Sequence, residues 1–244
     1  MIKFFRHIRK SLIQENKMGK YFKYAIGEII LVVIGILIAL QINNWNEDQK
    51  ILKRENFYLD SLLDDMRSNL LEIQEDINGN YQIIKSCDSL LLLANEGTYA
   101  KLNDERIGNL IISLGEYSKL QLEQGTIEEI IYSGSLQTIQ NESIRGFVVD
   151  WERDFIEIKE MEKFARQFQE KYFSILDTFL PYYKFDFVEK KYTDEVRDIY
   201  FSHMELLNTV GNIRFVAKRL INNYKEKLDE INVFITNIKN ELDQ

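Results

Sequence analysis

Residues that commonly carry out chemistry are few in this chain and lie far apart. It has two histidines, His7 and His203, and one cysteine, Cys87, with no histidine near it in the sequence. A di-metal carboxylate bundle needs paired Glu-x-x-His motifs on facing helices, and this sequence does not contain one. The stretch SGSLQTIQ, residues 133–140, lacks the lysine and the spacing of a P-loop, and the Gly-x-Ser-x-Gly motif of hydrolases is absent. We therefore predict a protein that is not an enzyme and that holds no metal and no cofactor.

Glu28 is the one ionisable residue in the apolar run from Ala25 to Ile42. Charged groups inside membrane-spanning segments are expensive and often functional. Its carboxylate lies about one helical turn inside Tyr24, close enough to reach the lipid headgroups or to hydrogen-bond a neighbouring helix. The alternative is an ion or proton relay, as in a small subunit of a transport complex. The run offers no second ionisable group to receive a proton, which favours the first interpretation.

A helix over residues 24–45 is long enough to cross a membrane. It would rise roughly 32 Å at about 1.5 Å per residue, against a hydrocarbon core of about 30 Å. Aromatic residues of the kind found at membrane interfaces bracket it: Tyr21, Phe22, Tyr24 and Trp45. A cleavable signal peptide would place Leu37 and Ala39 at recognition positions that need small residues, so an uncleaved anchor is favoured. A buried helix of a soluble protein would need neither the aromatic bracket nor basic residues on one side.

Charge is distributed unevenly around this run. Residues 1–23 include seven basic residues and one acidic residue, whereas the chain after residue 42 has 24 basic and 37 acidic residues, a formal charge of −13. By the positive-inside rule, residues 1–23 lie in the cytoplasm and residues 46–244 form a periplasmic domain of an inner-membrane protein. So acidic a domain argues against a nucleic-acid partner.

The N-terminal segment, residues 1–23, has hydrophobic residues at helical spacing: Phe5, Ile8 and Leu12. This pattern favours a basic amphipathic helix on the membrane surface. A basic tail without structure, which only sets the topology, is the alternative.

Small residues recur along one face of the predicted span, at Gly27, Gly35 and Ala39, together with Leu31. Gly35 and Ala39 form a small-xxx-small pair, which lets two helices approach closely. Such pairs also arise by chance in apolar runs, so self-association and chance both remain open.

The opening of the chain resembles a known family. The segments MIKFFRHIRK and YAIGEIILVVIGILIALQINNWNE are similar to an uncharacterised family of Bacteroidota single-span inner-membrane proteins, known as a domain of unknown function. The similarity is close over the first fifty residues and looser beyond, where it includes GTIEEIIYSGSLQTIQNESIR. The resemblance implies a single-span anchor with a helical body in the cell envelope. It implies no activity and no functional residues.

After the span, hydrophobic residues recur in alternating steps of four and three, which predicts long helices packed side by side. The first continues from the span to about Ala94, the second covers residues 144–179, the third covers residues 207–242, and shorter helices cover residues 104–114 and 126–133. Pro181 stops the second helix, and Gly79 is tolerated within the first. We predict an all-α fold, in which the membrane helix continues into an elongated antiparallel bundle of three long helices plus short helices.

The course of the first two long helices bears on the aromatic stretch FLPYYKFDF, residues 179–187. If the first helix leaves the membrane and the second returns, this stretch lies near the outer face of the bilayer. The alternative is that these aromatic residues close one end of the bundle.

Asn80 and Cys87 interrupt the apolar stripe of the first long helix. An interruption of this kind can set the register with a partner. Cys87 is either an ordinary small core residue or an intermolecular thiol that forms a Cys87–Cys87 bridge in a parallel dimer, which an oxidising periplasm permits.

A long amphipathic body without a catalytic constellation predicts a membrane-anchored adaptor or scaffold that binds another protein through its helical domain. The alternative is a periplasmic ligand-sensing module that signals through a partner membrane protein. The expected partners are the lipid bilayer, the chain itself as a dimer or higher oligomer, and another envelope protein, with no nucleic acid. A polar cavity between the helices would favour the sensor, and a packed bundle with an exposed apolar strip would favour the adaptor.

Overall fold

A computed structural model describes residues 18–115, 120–180 and 193–243. Within these ranges the chain is helical and contains no strand. The six α-helices are α1 (Met18–Glu96), α2 (Asp104–Ser113), α3 (Gly125–Tyr132), α4 (Glu142–Leu176), α5 (Asp194–Ser202) and α6 (Met204–Leu242). Short 3₁₀ helices cover Tyr99–Lys101 and Ser135–Thr138. The predicted all-α class and the three long helices are confirmed, whereas α5 was not predicted.

Two predictions fall on other parts of the chain. Most of the predicted amphipathic segment, residues 1–17, lies outside the described residues, and so do residues 181–187 of the aromatic stretch. Both therefore stay predictions.

The long helix α1 is continuous through Gly79 and contains no proline. It ends where Gly97 takes a positive φ of 63°, the left-handed conformation that commonly terminates helices and that glycine adopts without strain. The chain divides into two compact units within this helix, an N-terminal unit up to Glu55 and a C-terminal unit from Asn56. In the described part of the N-terminal unit, α1 is the whole structure.

The C-terminal unit is built from four antiparallel passes. Hydrogen bonds join α1 to residues 120–135, and the residue number falls along α1 as it rises along that segment. The pairs include Asn69 with Glu123, Asp65 with Thr126 and Tyr58 with Ser135. The segment from α2 to the second 3₁₀ helix therefore runs back along α1 as a broken second pass. Helix α4 is the third pass, and α5 with α6 forms the fourth.

Contacts of α6 fix the directions of the long helices. It runs antiparallel to α4, because Tyr224 bonds Glu162 and Glu205 pairs with Lys171. It also runs antiparallel to α1, because Lys225 bonds Tyr81 and Arg214, earlier in α6, pairs with Asp88, later in α1. Helices α1 and α4 are consequently parallel to each other.

The condition stated for the aromatic stretch, a second long helix that returns along the first, is not met, because the short pieces between them make the return pass instead. The C-terminal end of α4 therefore lies beside the C-terminal end of α1. Phe179 is half-buried there, in the same hydrophobic cluster as Cys87 and Leu90, and its ring stacks on His203 at 5.7 Å between centroids. Phe179 thus lies at the end of the C-terminal unit away from Asn56.

The core of this unit consists of two hydrophobic clusters. One extends from Tyr58 to Ile77 of α1 and includes residues 120–158 and the C-terminal half of α6. The other is centred on Cys87 and Leu90 and includes the N-terminal part of α6. Most of the hydrophobic residues that recur at helical spacing in the long helices, among them Leu59, Ile144 and Tyr224, lie in these clusters.

Side-chain caps fix the helix starts. Asn103 accepts from the N–H of Arg106, and Asn141 accepts from the N–H groups of Ser143 and Ile144. The starts of α5 and α6 use Thr193 and His203 in the same way. Each of these caps satisfies a backbone donor that has no partner within its own helix, and so helps to fix where α2, α4, α5 and α6 begin.

Candidate functional site

The N-terminal part of α1 exposes an unusually apolar surface. Its most apolar 18-residue window has a mean hydropathy of 2.6 and is 0% buried. The large hydrophobic side chains from Ile26 to Ile42 are each between 46% and 64% exposed. Burying such a surface is favourable by about 25 cal/mol per Å². By length and composition this helix can cross a membrane, a test that a signal sequence also passes.

The predicted span residues lie along this surface. A side chain added at Gly27 or Gly35 would meet no described atom within 4 Å, and Ala39 is exposed, so this face has room for a second helix. Glu28 is half-buried on the same helix. Their roles in packing and as an intramembrane carboxylate remain predictions.

Aromatic residues flank the apolar window as the sequence indicates. Phe22, Tyr24 and Trp45 are more than half exposed. Tyr21 belongs to α1, but its side chain lies outside the described part of the structure. An interfacial role for these four residues remains a prediction.

A small cavity, lined by six apolar and three polar residues, lies between α1, α4 and α6. Its polar lining consists of Asn80, Glu162 and Gln169, all buried, and its volume is about 10 Å³. A cavity of this size holds about one water molecule, whereas small-molecule sites usually measure about 300–1,000 Å³. The core therefore has no room here for a ligand of several heavy atoms.

Glu162 organises the polar groups beside this cavity. Its Oε1 accepts hydrogen bonds from the hydroxyl of Tyr224 at 2.9 Å and from the N–H of Leu120 at 3.3 Å. Lys159 lies 3.5 Å from the other carboxylate oxygen and also donates to the carbonyl of Leu120. Because Leu120 belongs to the return pass, Glu162 joins three of the four passes. The geometry is that of a satisfied structural network.

Cys87 is completely buried in the second hydrophobic cluster. Burial, with a smaller contribution from the charge of Asp88, raises the pKa of its thiol to about 12. The reactive thiolate is therefore scarce at neutral pH. A Cys87–Cys87 bridge between two copies would require this cluster to open, which favours the interpretation of Cys87 as a small core residue.

A long concave surface feature lies along the seam of α4 and α6, and we call it the α4/α6 groove. It consists of two adjoining depressions of about 680 and 580 Å³ that share Asp154 and Glu230. Its lining comes from residues 143–161 of α4 and residues 223–237 of α6. On α6, and on α4 as far as Asp154, the lining residues follow the three- and four-residue spacing of one helix face, whereas Ile156, Glu157 and Ile158 are consecutive.

The groove is strongly acidic. Its lining includes two basic residues, Arg153 and Lys227, and seven acidic ones, a formal charge of −5: Asp150, Asp154, Glu157, Glu160, Glu226, Asp229 and Glu230.

Both basic residues of the groove are already held by acidic neighbours. Lys227 is buried and lies 2.7 Å from Asp154 and 2.5 Å from Glu230, while Arg153 lies 3.0 Å from Asp150. Burial alone would raise the pKa of the Asp154 carboxyl, but hydrogen bonds and charge from Lys227 and Arg153 outweigh it and lower that pKa. Because these pairs neutralise both basic residues, the remaining exposed carboxylates of the lining, which we call the rim, determine the negative electrostatic potential of the groove.

The groove also has an apolar part. The rings of Phe147 and Phe234 stack at its floor, 3.7 Å apart between centroids. Val233 and Ile156 stand on its walls and are 62% and 55% exposed. Apolar floor and walls beneath an acidic rim suit an amphipathic partner.

This groove was not predicted from the sequence. Its signal was present in the spacing of the acidic residues along residues 150–160 and 226–230, but that signal gives no information on which two helices are neighbours. Within the described ranges, no group of three or more His, Cys, Asp or Glu side chains is placed to hold a metal ion. The absence of a cofactor and of enzyme activity stays a prediction.

Comparison with known proteins finds a match over part of the chain. Residues 28–91, roughly a quarter of the chain, are similar to the Family of unknown function (DUF6090). The matched range contains most of the apolar run and the part of α1 that forms the first pass of the bundle. No curated protein matches the chain, and no solved structure matches it.

Proposed function

We propose that this protein is a non-enzymatic, membrane-anchored adaptor or scaffold of the cell envelope, which binds another protein through its helical C-terminal unit. One observation carries the proposal. The helix α1 supplies an exposed apolar surface long enough to span a bilayer, and the same helix supplies the first pass of a packed bundle.

In the proposed topology, residues 1–23 are cytoplasmic, α1 crosses the inner membrane, and the C-terminal unit is periplasmic. The support is the charge distribution, with basic residues before the apolar run and a strongly acidic chain after it.

A protein partner is favoured over a small ligand because of the core. The cavity at Asn80, Glu162 and Gln169 has room for about one water molecule. On the surface of the C-terminal unit, by contrast, the α4/α6 groove offers both charged and apolar groups.

Self-association in the membrane belongs to the same proposal. The open face at Gly27, Gly35 and Ala39 allows close approach of a second copy of α1. The lipid bilayer, a second copy and another envelope protein are the proposed partners. The acidic charge of the C-terminal unit supports the exclusion of nucleic acid.

Cell fractionation with protease treatment tests the anchor and the topology. We expect the full chain in the membrane fraction, resistant to alkaline carbonate, with its C-terminal unit digested after protease is added to spheroplasts. A freely soluble mature chain, or digestion of that unit only from the cytoplasmic side, would contradict the proposal. Crosslinking and affinity purification from native membranes should then recover a specific envelope protein together with the chain.

A further inference from the structure

We infer that the α4/α6 groove binds a cationic amphipathic helix of a partner protein. The inference rests on the proposed adaptor function and specifies the chemistry of the segment that the adaptor recognises. It uses contacts within the C-terminal unit alone.

Charge complementarity is the first argument. The groove has a formal charge of −5, and its two basic side chains already pair with Asp150, Asp154 and Glu230. The exposed carboxylates of Glu157, Glu226 and Asp229 remain to receive Lys or Arg side chains of a partner. Like charge repels a nucleic acid or another acidic surface from the same place.

The length of the groove indicates a helical occupant. At about 1.5 Å per residue, the lining segments 143–161 and 223–237 extend over roughly 27 Å and 21 Å. A seam of that length between two helices accepts a helix of about 14–18 residues, in the helix-in-groove mode of recognition.

The apolar residues define how such a helix would lie. Val233 and Ile156 are the exposed hydrophobic side chains of the two depressions, and the stacked pair of Phe147 and Phe234 lies below them. A partner helix with hydrophobic residues at i, i+3, i+4 and i+7 would bury Val233 and Ile156, while basic residues at its edges reach the acidic rim.

The binding test uses the full chain in nanodiscs of zwitterionic phosphatidylcholine. The probe is a dye-labelled synthetic peptide of about 18 residues, with Leu on one helical face and Lys and Arg on the others. A second peptide keeps every Leu and replaces each basic residue with Glu. Fluorescence anisotropy measures binding, and empty nanodiscs give the signal from lipid alone.

Two pairs of variants locate the binding. The rim variant neutralises the exposed carboxylates of the groove with the substitutions Glu157→Gln, Glu226→Gln and Asp229→Asn. The control variant removes the same charge from exposed positions on α1 with the substitutions Asp60→Asn, Glu75→Gln and Glu96→Gln. Val233→Ser removes an exposed hydrophobic side chain from the groove, and Leu71→Ser does so on α1, where Leu71 is 70% exposed. Circular dichroism verifies that every variant keeps its helix content and thermal midpoint.

We expect the cationic peptide to bind and the acidic peptide not to bind. The rim variant should weaken binding by about tenfold, the sum of three exposed charge pairs, and the control should change it less than about twofold. Val233→Ser should weaken binding and Leu71→Ser should not. Raising the salt from about 0.05 to about 0.5 M should weaken binding, because the Debye length shortens. A photo-crosslinker on the peptide should label residues 143–161 and 223–237.

The inference would be overturned by no binding above that of empty nanodiscs, by equal weakening in the rim and control variants, or by crosslinks outside the two lining segments. Crosslinks between two copies of the chain through the groove would also overturn it, in favour of a self-contact. If a variant unfolds, the salt dependence and the crosslink map of the wild-type chain decide.

The failure of this inference differs from the failure of the proposed function. If the rim variant still copurifies with the native partner, the adaptor function stands and the groove assignment falls. If the chain is freely soluble yet binds the cationic peptide in the groove, the anchor is wrong and the groove assignment stands.

Discussion

Glu162 of α4 turns its carboxylate into the bundle, where the hydroxyl of Tyr224 and the N–H of Leu120 donate to the same oxygen. Lys159 lies at the outer side of this pair and is itself half-buried. A buried carboxylate is tolerated only when its hydrogen bonds are made, and here they join α4, α6 and the return pass.

We expect Glu162→Ala to lower the free energy of unfolding by about 2–4 kcal/mol, because it leaves the Tyr224 hydroxyl and the Leu120 N–H without their acceptor. Tyr224→Phe removes one donor and should lower it by about 1 kcal/mol. Chemical denaturation of the full chain in detergent, followed by circular dichroism, measures both. Glu160→Ala, at an exposed neighbouring position, serves as the control and should change stability by less than about 0.5 kcal/mol. Equal effects of Glu160→Ala and Glu162→Ala would contradict this role.

At the scale of elements, the return pass depends on α1 through polar side chains. Asn69 donates to the carbonyl of Glu123 at 2.8 Å and accepts from its N–H at 2.6 Å, as a strand neighbour would. Asp65 accepts from the N–H of Thr126, at the start of α3. These contacts hold backbone groups that the short helices of this pass cannot satisfy internally.

We expect Asn69→Ala to loosen residues 120–126 while α1 and α4 stay folded, because both hydrogen bonds to Glu123 are lost together. Hydrogen exchange with mass spectrometry should show faster exchange in that segment, and stability should fall by about 1–3 kcal/mol. Asn78→Ala, at an exposed position on α1, is the matched control. Unchanged exchange at residues 120–126, or an equal change in the control, would show that this pair does not hold the return pass.

The elements differ in how far the sequence predicts them. Periodicity predicts α1 and α4 well, since long amphipathic helices bury one continuous stripe. The order of the passes was not predictable in the same way, because Asn69 and Asp65 fasten the return pass through contacts far apart in the sequence. The groove could not be predicted because it too depends on residues far apart in the sequence. Acidic residues on one helix have the pattern of an ordinary solvent-exposed face until the neighbouring helix is known.

For the molecule as a whole, we expect the folded state to lose stability at low pH. Hydrogen bonding from Lys171 lowers the pKa of Glu205, and Lys227 with Arg153 lowers that of Asp154 against the opposing effect of burial. Both carboxyl groups then bind fewer protons in the folded than in the unfolded chain. Their contribution to stability is complete above the ordinary pKa values of 3.8 and 4.5, and it is lost as the pH falls below them.

We therefore expect the thermal midpoint of the full chain in detergent to change little between pH 7 and pH 5.5 and to fall between about pH 5 and pH 3. Asp154→Asn should lower the midpoint at pH 7 and flatten the acid limb. Asp60→Asn, on the exposed face of α1, should leave the shape of the curve unchanged. A midpoint that rises on acidification, or an acid limb unaffected by Asp154→Asn, would contradict this assignment.

An even number of passes has a practical consequence for labelling the C-terminal unit. Asn141, at the start of α4, donates a hydrogen bond to Glu241, and Tyr58 bonds Ser135 six residues earlier in the chain, so α6 finishes at the same end at which Asn56 begins. A fluorescent protein fused after residue 244 would therefore lie close to the end of the unit at which Asn56 begins. An epitope inserted at Gly97–Thr98, in the turn after α1, would instead lie at the opposite end of the unit. It would leave the end at Asn56 accessible to antibodies or probes.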